Sequence, residues 1–299
     1  MKKIIFICII LIGVIVCSYA GGESIGVNNR IAFVSNIDGN WDLFIMDGDG
    51  ENAKRLTKTL YDEKDPSWSP DRKKIVYATT EGSINVIEVD TGKVETILEA
   101  DDKGKSVHPV ISPDDKEVIY VYFKQKKVDD TDLWKLDLET KESKLFLSQN
   151  STQLFPSYSP DGRKIVYTST HCSPDCGRII QELWIADAAG GRARQLAMTN
   201  SNCMNPTWSP DGKKIAFTSD MKGNFDIWIL DCATFKLTQL TQDPNLDTSP
   251  AWSPDGKKIA FISNRSGEMK IWMKTLATKD LKMIEPFPGK DIQIREVVW

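Results

Sequence analysis

Short apolar runs separated by turn-forming residues repeat along this chain about every 45 residues, a period at which each unit buries its apolar face against its neighbours. One set of runs is Ile31-Ala32-Phe33-Val34, Ile75-Val76-Tyr77, Val118-Ile119-Tyr120, Ile165-Val166-Tyr167, Ile215-Ala216-Phe217 and Ile259-Ala260-Phe261. β-Branched and aromatic residues in such runs predict strands that fit a pleated, buried surface. A second set predicts the next strand: Asp42 to Asp47, Asp132 to Asp137, Glu182 to Asp187 and Asp226 to Asp231, with weaker copies at Asn85 to Asp90 and Lys270 to Thr275. The segments Arg55-Leu56-Thr57, Gln195-Leu196 and Gln239-Leu240-Thr241 predict a further, outer strand.

A marker, Pro-x-Trp-Ser-Pro-Asp-Gly, precedes every run of the first set except Ile31–Val34. It stands at Pro66–Asp71, Pro109–Asp114, Pro156–Gly162, Pro206–Gly212 and Pro250–Gly256, and a sixth copy breaks off at Trp299. Its Ser-Pro-Asp-Gly core is turn chemistry, because Pro presets φ, Asp suits the third position and Gly tolerates the exit. The marker therefore adds an inner strand and a tight turn to each unit. Trp68, Trp208, Trp252 and Trp299 share the first-strand register, and Trp134, Trp184, Trp228 and Trp272 share the third. Recurrence at fixed strand positions predicts packing between units, not a ligand platform. Arg30 to Ser35 lacks a strand before it, and Ile294 to Trp299 lacks one after it; pairing the two closes a ring and removes exposed edges. The expected fold is all-β, a six-bladed β-propeller of four-stranded antiparallel blades, with the C-terminal strand paired into the first blade. Expected boundaries are a signal peptide over 1–20, a short N-terminal segment over 21–29 and the propeller over 30–299.

These motifs resemble the TolB-type propeller repeat, which also forms the propeller of prolyl-oligopeptidase-like proteins. The resemblance covers about residues 29 to 299 and rests on the Ser-Pro-Asp-Gly core. It stops at the propeller, because TolB carries a separate α/β domain before it and only about ten residues here separate the leader from the first strand. The resemblance implies an exported, non-catalytic scaffold that binds a protein or peptide in the cell envelope near the mouth of the axial channel.

The N-terminus agrees with export. Met1-Lys2-Lys3 precedes an apolar run from Ile4 to Val16, too short to span a bilayer comfortably, with small residues at Ser18 and Ala20. Cleavage after Ala20 would deliver a periplasmic or secreted protein with no transmembrane span; the rival is a lipoprotein anchored through Cys17. Loss of Lys2 and Lys3 takes the net charge from −4 to −6. A mildly acidic chain leaves no electrostatic footprint for nucleic acid. A monomer is expected. Cysteines 172, 176, 203 and 232 remain after cleavage, and an oxidising compartment favours a Cys172–Cys176 disulfide, with Cys203 as the competing partner.

Catalytic machinery is hard to assemble from this sequence. There is no Gly-x-Ser-x-Gly elbow and no phosphate loop, and His108 and His171 are the only histidines. The pectate-degrading lyases with similar repeats need a multi-histidine metal site, and Asp47-Gly48-Asp49-Gly50 reads as a hairpin turn, not a calcium loop. No cofactor is expected, apart from calcium at the channel. The candidate site is the register just before each marker proline: Asp65, His108, Phe155, Asn205 and Ser249, with Glu296 at the matching place in the truncated copy. These residues differ from blade to blade and are expected to point toward the channel entrance, either as a solvated lip or with Asp65, His108, Asn205 and Glu296 as a polar collar that holds a partner's peptide or a divalent cation. Asp65 and Glu296, on adjacent blades, are the candidates for holding a cation such as calcium or a partner's basic side chain. The alternative function is a sugar- or metal-binding protein, or an enzyme, with its site at the axis.

Overall fold

The computed structural model describes residues 29–37, 39–124, 131–172 and 179–299. The leader with Cys17 and the Cys172–Cys176 pairing fall outside the described residues and side chains. The strands make six four-stranded antiparallel sheets arranged as the blades of a propeller. Blade 1 contains β1 (Arg30–Ser35), β2 (Asp42–Asp47) and β3 (Lys54–Arg55). Blade 2 contains β4 (Glu63–Trp68), β5 (Lys74–Thr79), β6 (Ile84–Glu88) and β7 (Val94–Leu98). Blade 3 contains β8 (Gly104–Ile111), β9 (Glu117–Lys124), β10 (Thr131–Asp137) and β11 (Ser143–Leu147). Blade 4 contains β12 (Gln153–Tyr158), β13 (Lys164–Cys172), β14 (Ile179–Asp187) and β15 (Arg194–Gln195). Blade 5 contains β16 (Cys203–Trp208), β17 (Lys214–Ser219), β18 (Asp226–Asp231) and β19 (Leu237–Gln239). Blade 6 contains β20 (Asp247–Trp252), β21 (Lys258–Ser263), β22 (Lys270–Thr275) and β23 (Leu281–Ile284).

The last strand, β24 (Ile294–Val298), pairs with β1 and completes blade 1, as the unmatched ends of the pattern predict. The innermost strands then touch in the closed cycle β24, β4, β8, β12, β16, β20 and back to β24. The indoles repeat that order. Trp208 Nε1 donates to the Ser157 carbonyl at 3.2 Å and Trp252 Nε1 to the Thr207 carbonyl at 3.3 Å, each reaching the inner strand of the preceding blade. Trp68 Nε1 makes the same reach across the closure, to the Val298 carbonyl at 3.4 Å.

The second strand of every blade is the core. Ile31, Ile75, Ile165, Ile215 and Ile259 are completely buried, as are Phe33, Tyr167, Phe217 and Phe261. The apolar clusters lie between blades: one joins Phe33 and Phe44 to Ile262, Ile271 and Trp299 across the closure. The marker turn is explained by one serine. Ser159 Oγ donates to Asp161 at 2.6 Å and accepts the Lys164 N–H at 2.9 Å, which pins the turn from inside. Ser69, Ser112, Ser209 and Ser253 repeat this, and all five are buried. The outer strands differ from expectation. β3, β15 and β19 end at Arg55, Gln195 and Gln239, so Leu56, Leu196 and Leu240 follow the pairing instead of taking part in it. Leu56, Leu196 and Leu240 still bond their N–H to the neighbouring strand, so each of these three outer strands is followed by one further bond.

Candidate functional site

Each inner strand reaches the axis with a defect in its pairing. The register slips between Lys64 and Ser67, Val107 and Val110, Leu154 and Ser157, Met204 and Thr207, and Thr248 and Ala251. These are β-bulges, and a proline fits there because the extra residue has no ladder partner and no N–H is missed. The residue before each proline takes the left-handed conformation: Asp65 at φ 54°, His108 at 49°, Phe155 at 52°, Asn205 at 51° and Ser249 at 53°. For residues other than glycine this carries about 1–2 kcal/mol of strain each. In blade 1 the bulge sits one residue earlier. Val34 pairs with Glu296 and Ser35 with Ile294, so Arg295 is the extra residue and Glu296 stays in the ladder.

Asp65, His108, Phe155, Asn205, Ser249 and Glu296 all line a single cavity of about 610 Å³ that follows the axis from this collar to the marker turns at the other end. On one side of the ring the collar residues hold each other. Asp65 donates its backbone N–H to Glu296 Oε2 at 2.5 Å. The Asp65 carboxylate accepts the His108 N–H at 3.1 Å and lies 2.9 Å from His108 Nδ1. The His108 ring in turn packs on Phe155, centroids 4.3 Å apart. On the other side, Ser249 donates its N–H to Thr218 Oγ1 at 3.2 Å. The Ser249 hydroxyl and the Asn205 amide make no hydrogen bond among the described residues and remain available to the channel.

Electrostatics follow from this arrangement. Burial and the neighbouring Asp65 charge push the Glu296 carboxyl up to about 8, against the pull of Arg295. The Asp65 carboxyl moves the other way, to about 2, because His108 outweighs a burial penalty that alone would raise it. Side-chain exposure of 12% at Asp65, 20% at His108 and 24% at Glu296 keeps all three within reach of a molecule in the channel. The expected pairing of Asp65 and Glu296 therefore takes a particular form: the two are neighbours, with one carboxylate turned to the next blade's histidine and the other to a backbone N–H. Among the described residues no cluster of three or more His, Cys, Asp or Glu side chains is placed to hold a metal ion. Cys203, expected as a competing disulfide partner, is an unpaired buried thiol pushed up to about 12 by desolvation.

Two arginines escaped the sequence reading. Arg295 stacks on Trp41 at 4.6 Å and donates to the Glu63 carbonyl at 2.5 Å, tying the closing strand to blade 2. Arg72 lines the far end of the cavity, and its signal was visible: it takes the place that glycine fills in three other markers.

A closed six-bladed ring of repeated four-stranded units, with a variable collar around its axial mouth, defines a repeat-built β-propeller. The TolB beta propeller domain family matches residues 26–180 and 177–290, and the chain belongs to that family. A TolB homolog of Chlorobium chlorochromatii (strain CaD3) is 27% identical over 157 residues, which are 52% of this chain and 34% of that protein. The Tol-Pal system protein TolB of Francisella tularensis subsp. tularensis (strain WY96-3418) is 35% identical over 108 residues, 35% of this chain and 24% of that one. The chain thus spans about a third or less of the length of these curated relatives. The crystal structure of TolB from Acinetobacter baumannii superposes with a TM-score of 0.77 at 26% identity, covering 92% of this chain and 67% of that one. An oligogalacturonate lyase in complex with manganese, at 18% identity, TM-score 0.60 and coverage of 85% and 73%, shares the fold alone. Among the described residues no helix is long and apolar enough to cross a membrane.

Proposed function

We propose that this protein is an exported, non-catalytic scaffold of the cell envelope, periplasmic or secreted, which receives a segment of a protein partner at the collar end of its channel. The observation that carries the reading is the collar itself. Five strained bulges hold five different side chains at one register around a channel, and two of them, Asn205 and Ser249, present polar groups that the fold does not use. Strain of this kind persists where surrounding structure over-determines it, and it clusters at ligand clamps. Membership of the TolB propeller family and the names of the curated relatives support a protein partner in the envelope.

A photo-crosslinking amino acid placed at Phe155 in the collar and, separately, at Phe235 on the opposite face tests this in the native envelope. Phe235 is 49% exposed in a turn between β18 and β19, so it reports encounter without specificity. One defined adduct from position 155, absent from position 235, is expected. Asn205→Gly together with Ser249→Gly should reduce it while keeping the left-handed backbone, which glycine adopts without strain. Equal adducts from both positions, or an adduct indifferent to the double substitution, would place the partner elsewhere on the molecule.

A further inference from the structure

The far end of the channel carries a cation, Arg72, that has no counter-ion among the described residues. From Asp65 to Pro70 the inner strand advances about 16 Å at ~3.3 Å per residue, so the marker turns lie well removed from the collar. There the exit position of the turn is Gly162, Gly212 and Gly256 in blades 4, 5 and 6, at φ 67° to 69°. Blade 2 has Arg72 instead, at φ 62°, with its side chain against the cavity. Nη2 donates to the Arg30 carbonyl at 2.6 Å and the guanidinium lies 4.4 Å over the Trp68 ring. Nε is buried without a partner, and neither Nη1 nor any described carboxylate completes an ion pair with it. Desolvation alone pulls its pKa down to about 10.

Buried charge in folded proteins is paired, and the half-buried Arg72, with its Nε enclosed and no described carboxylate beside it, leaves a place for a counter-charge. The Trp68 face offsets part of the deficit, on the order of 1 kcal/mol, and one neutral carbonyl cannot neutralise a full charge. The aspartates at this rim do not supply the balance. Asp71, Asp114, Asp161, Asp211 and Asp255 are turned back to their own marker serines, all but Asp114 within 4.0 Å of the Lys or Arg two residues on, and Asp115 lies 3.8 Å from Lys74. Their charges are therefore met locally.

We propose that Arg72 makes the far mouth of the channel a binding site for one carboxylate, taken edge-on by Nη1 and the second N–H of Nη2 above the Trp68 face. The planar fork of the guanidinium matches a carboxylate. A single positive charge balances a monoanion, whereas a phosphate dianion would leave an uncompensated charge in the same half-buried place. Pro70 and Pro113 at the rim have no N–H to offer, so the guanidinium is the donor. The carboxylate is either a small free acid or the end of a peptide, and this site is independent of the partner proposed for the collar.

Thermal unfolding and calorimetric titration of the purified protein with acetate test the proposal, at fixed ionic strength against chloride. Inorganic phosphate and a short peptide with a free or amidated C-terminus complete the set. Acetate should raise the midpoint in a saturable way. Arg72→Gly, which restores the residue of three other blades and keeps the turn, should weaken the apparent affinity on the order of tenfold or more. Arg72→Lys should fall between, keeping the charge without the fork. Each variant is referenced to its own midpoint in chloride, so a change in basal stability does not obscure the result. A peptide that binds only with its free C-terminus, more tightly than acetate, marks a peptide end as the ligand; acetate binding at least as tightly marks a small acid. No response to either carboxylate in the wild type, an equal response in Arg72→Gly, or a larger response to phosphate than to carboxylate would overturn the assignment.

Discussion

Closure of the ring makes a quantitative claim about Trp299. Its indole is 9% exposed and belongs to the cluster that joins blade 6 to blade 1, with Phe33, Phe44, Ile271 and Ile294. A buried tryptophan side chain removes about 150–250 Å² from water, worth ~4–6 kcal/mol at ~25 cal/mol per Å² as an upper bound. Large-to-small substitutions of this kind lose about 3–5 kcal/mol in practice. Trp299→Ala also removes the Nε1 bond to Asn29 Oδ1 at 2.9 Å, a contribution of about 1 kcal/mol that the mutational range already includes. The expected loss is therefore about 4 kcal/mol, a large part of the ~5–15 kcal/mol that holds a typical domain.

Urea unfolding followed by far-ultraviolet circular dichroism measures this, with two reference variants. Trp252→Ala removes the equivalent indole from blade 6, where the residue is 5% exposed and bonds the preceding blade. Leu145→Ala trims a half-exposed side chain on the outer strand β11 and should change stability by about 0.5 kcal/mol or less. If β24 closes the ring as firmly as an internal strand, Trp299→Ala and Trp252→Ala cost the same within about 1 kcal/mol at an unchanged denaturant slope. A loss at Trp299 no larger than that at Leu145 would mean that blade 1 is not held by its last strand, and the closure argument would fail.

Three further outcomes follow from local contacts. Glu296 holds its proton to about pH 8 when folded against an ordinary value of 4.5, so the folded state binds more protons between these limits and stability declines across that window as pH rises. Glu296→Gln should abolish the decline and exceed the wild type by at least ~1 kcal/mol above pH 8, with little difference near pH 4.5; parallel pH profiles would remove the premise. Ser159→Ala deprives the Lys164 N–H and Asp161 of the buried hydroxyl and should lower stability by about 1–2 kcal/mol in the same urea assay. Cys203, buried and with its thiol pushed up to about 12, should resist alkylation at pH 8 until the protein unfolds, as mass mapping of labelled peptides would show.

The architecture could be read from the sequence because repetition made each assignment testable against five others. A tryptophan at one place is ambiguous, but Trp68, Trp208, Trp252 and Trp299 at one register identify an inner strand. The collar register was visible for the same reason, since Asp65, His108, Phe155, Asn205, Ser249 and Glu296 precede a common position and differ among themselves. What the residues do there was not visible. Proline inside a strand pattern signals a bulge, but not that five residues would share the left-handed conformation, nor that blade 1 would move its bulge to Arg295. Outer strand limits were missed because propensity cannot tell a leucine in a ladder from one just beyond it. Arg72 was overlooked because the marker was read for what repeats, and Arg72 is where it fails to repeat.

That distinction also separates what the fold needs from what it leaves over. Positions that repeat, such as the marker serine and the core isoleucines, are accounted for by contacts that recur in five of the six blades. Positions that vary divide in two. Glu296, Asp65, His108 and Phe155 vary but contact one another in sequence round the ring, so four of the six collar residues are a structural relay as well as a lip. Asn205, Ser249 and Arg72 vary and keep donors or acceptors that no described residue meets. These groups line the channel and can bond a molecule that enters it. The channel therefore has two chemically different ends, a hydrogen-bonding collar at one mouth and a cation at the other. A ligand that spans both would need polar groups at one end and a carboxylate about 16 Å away, at ~3.3 Å per residue the length of an extended segment of five residues.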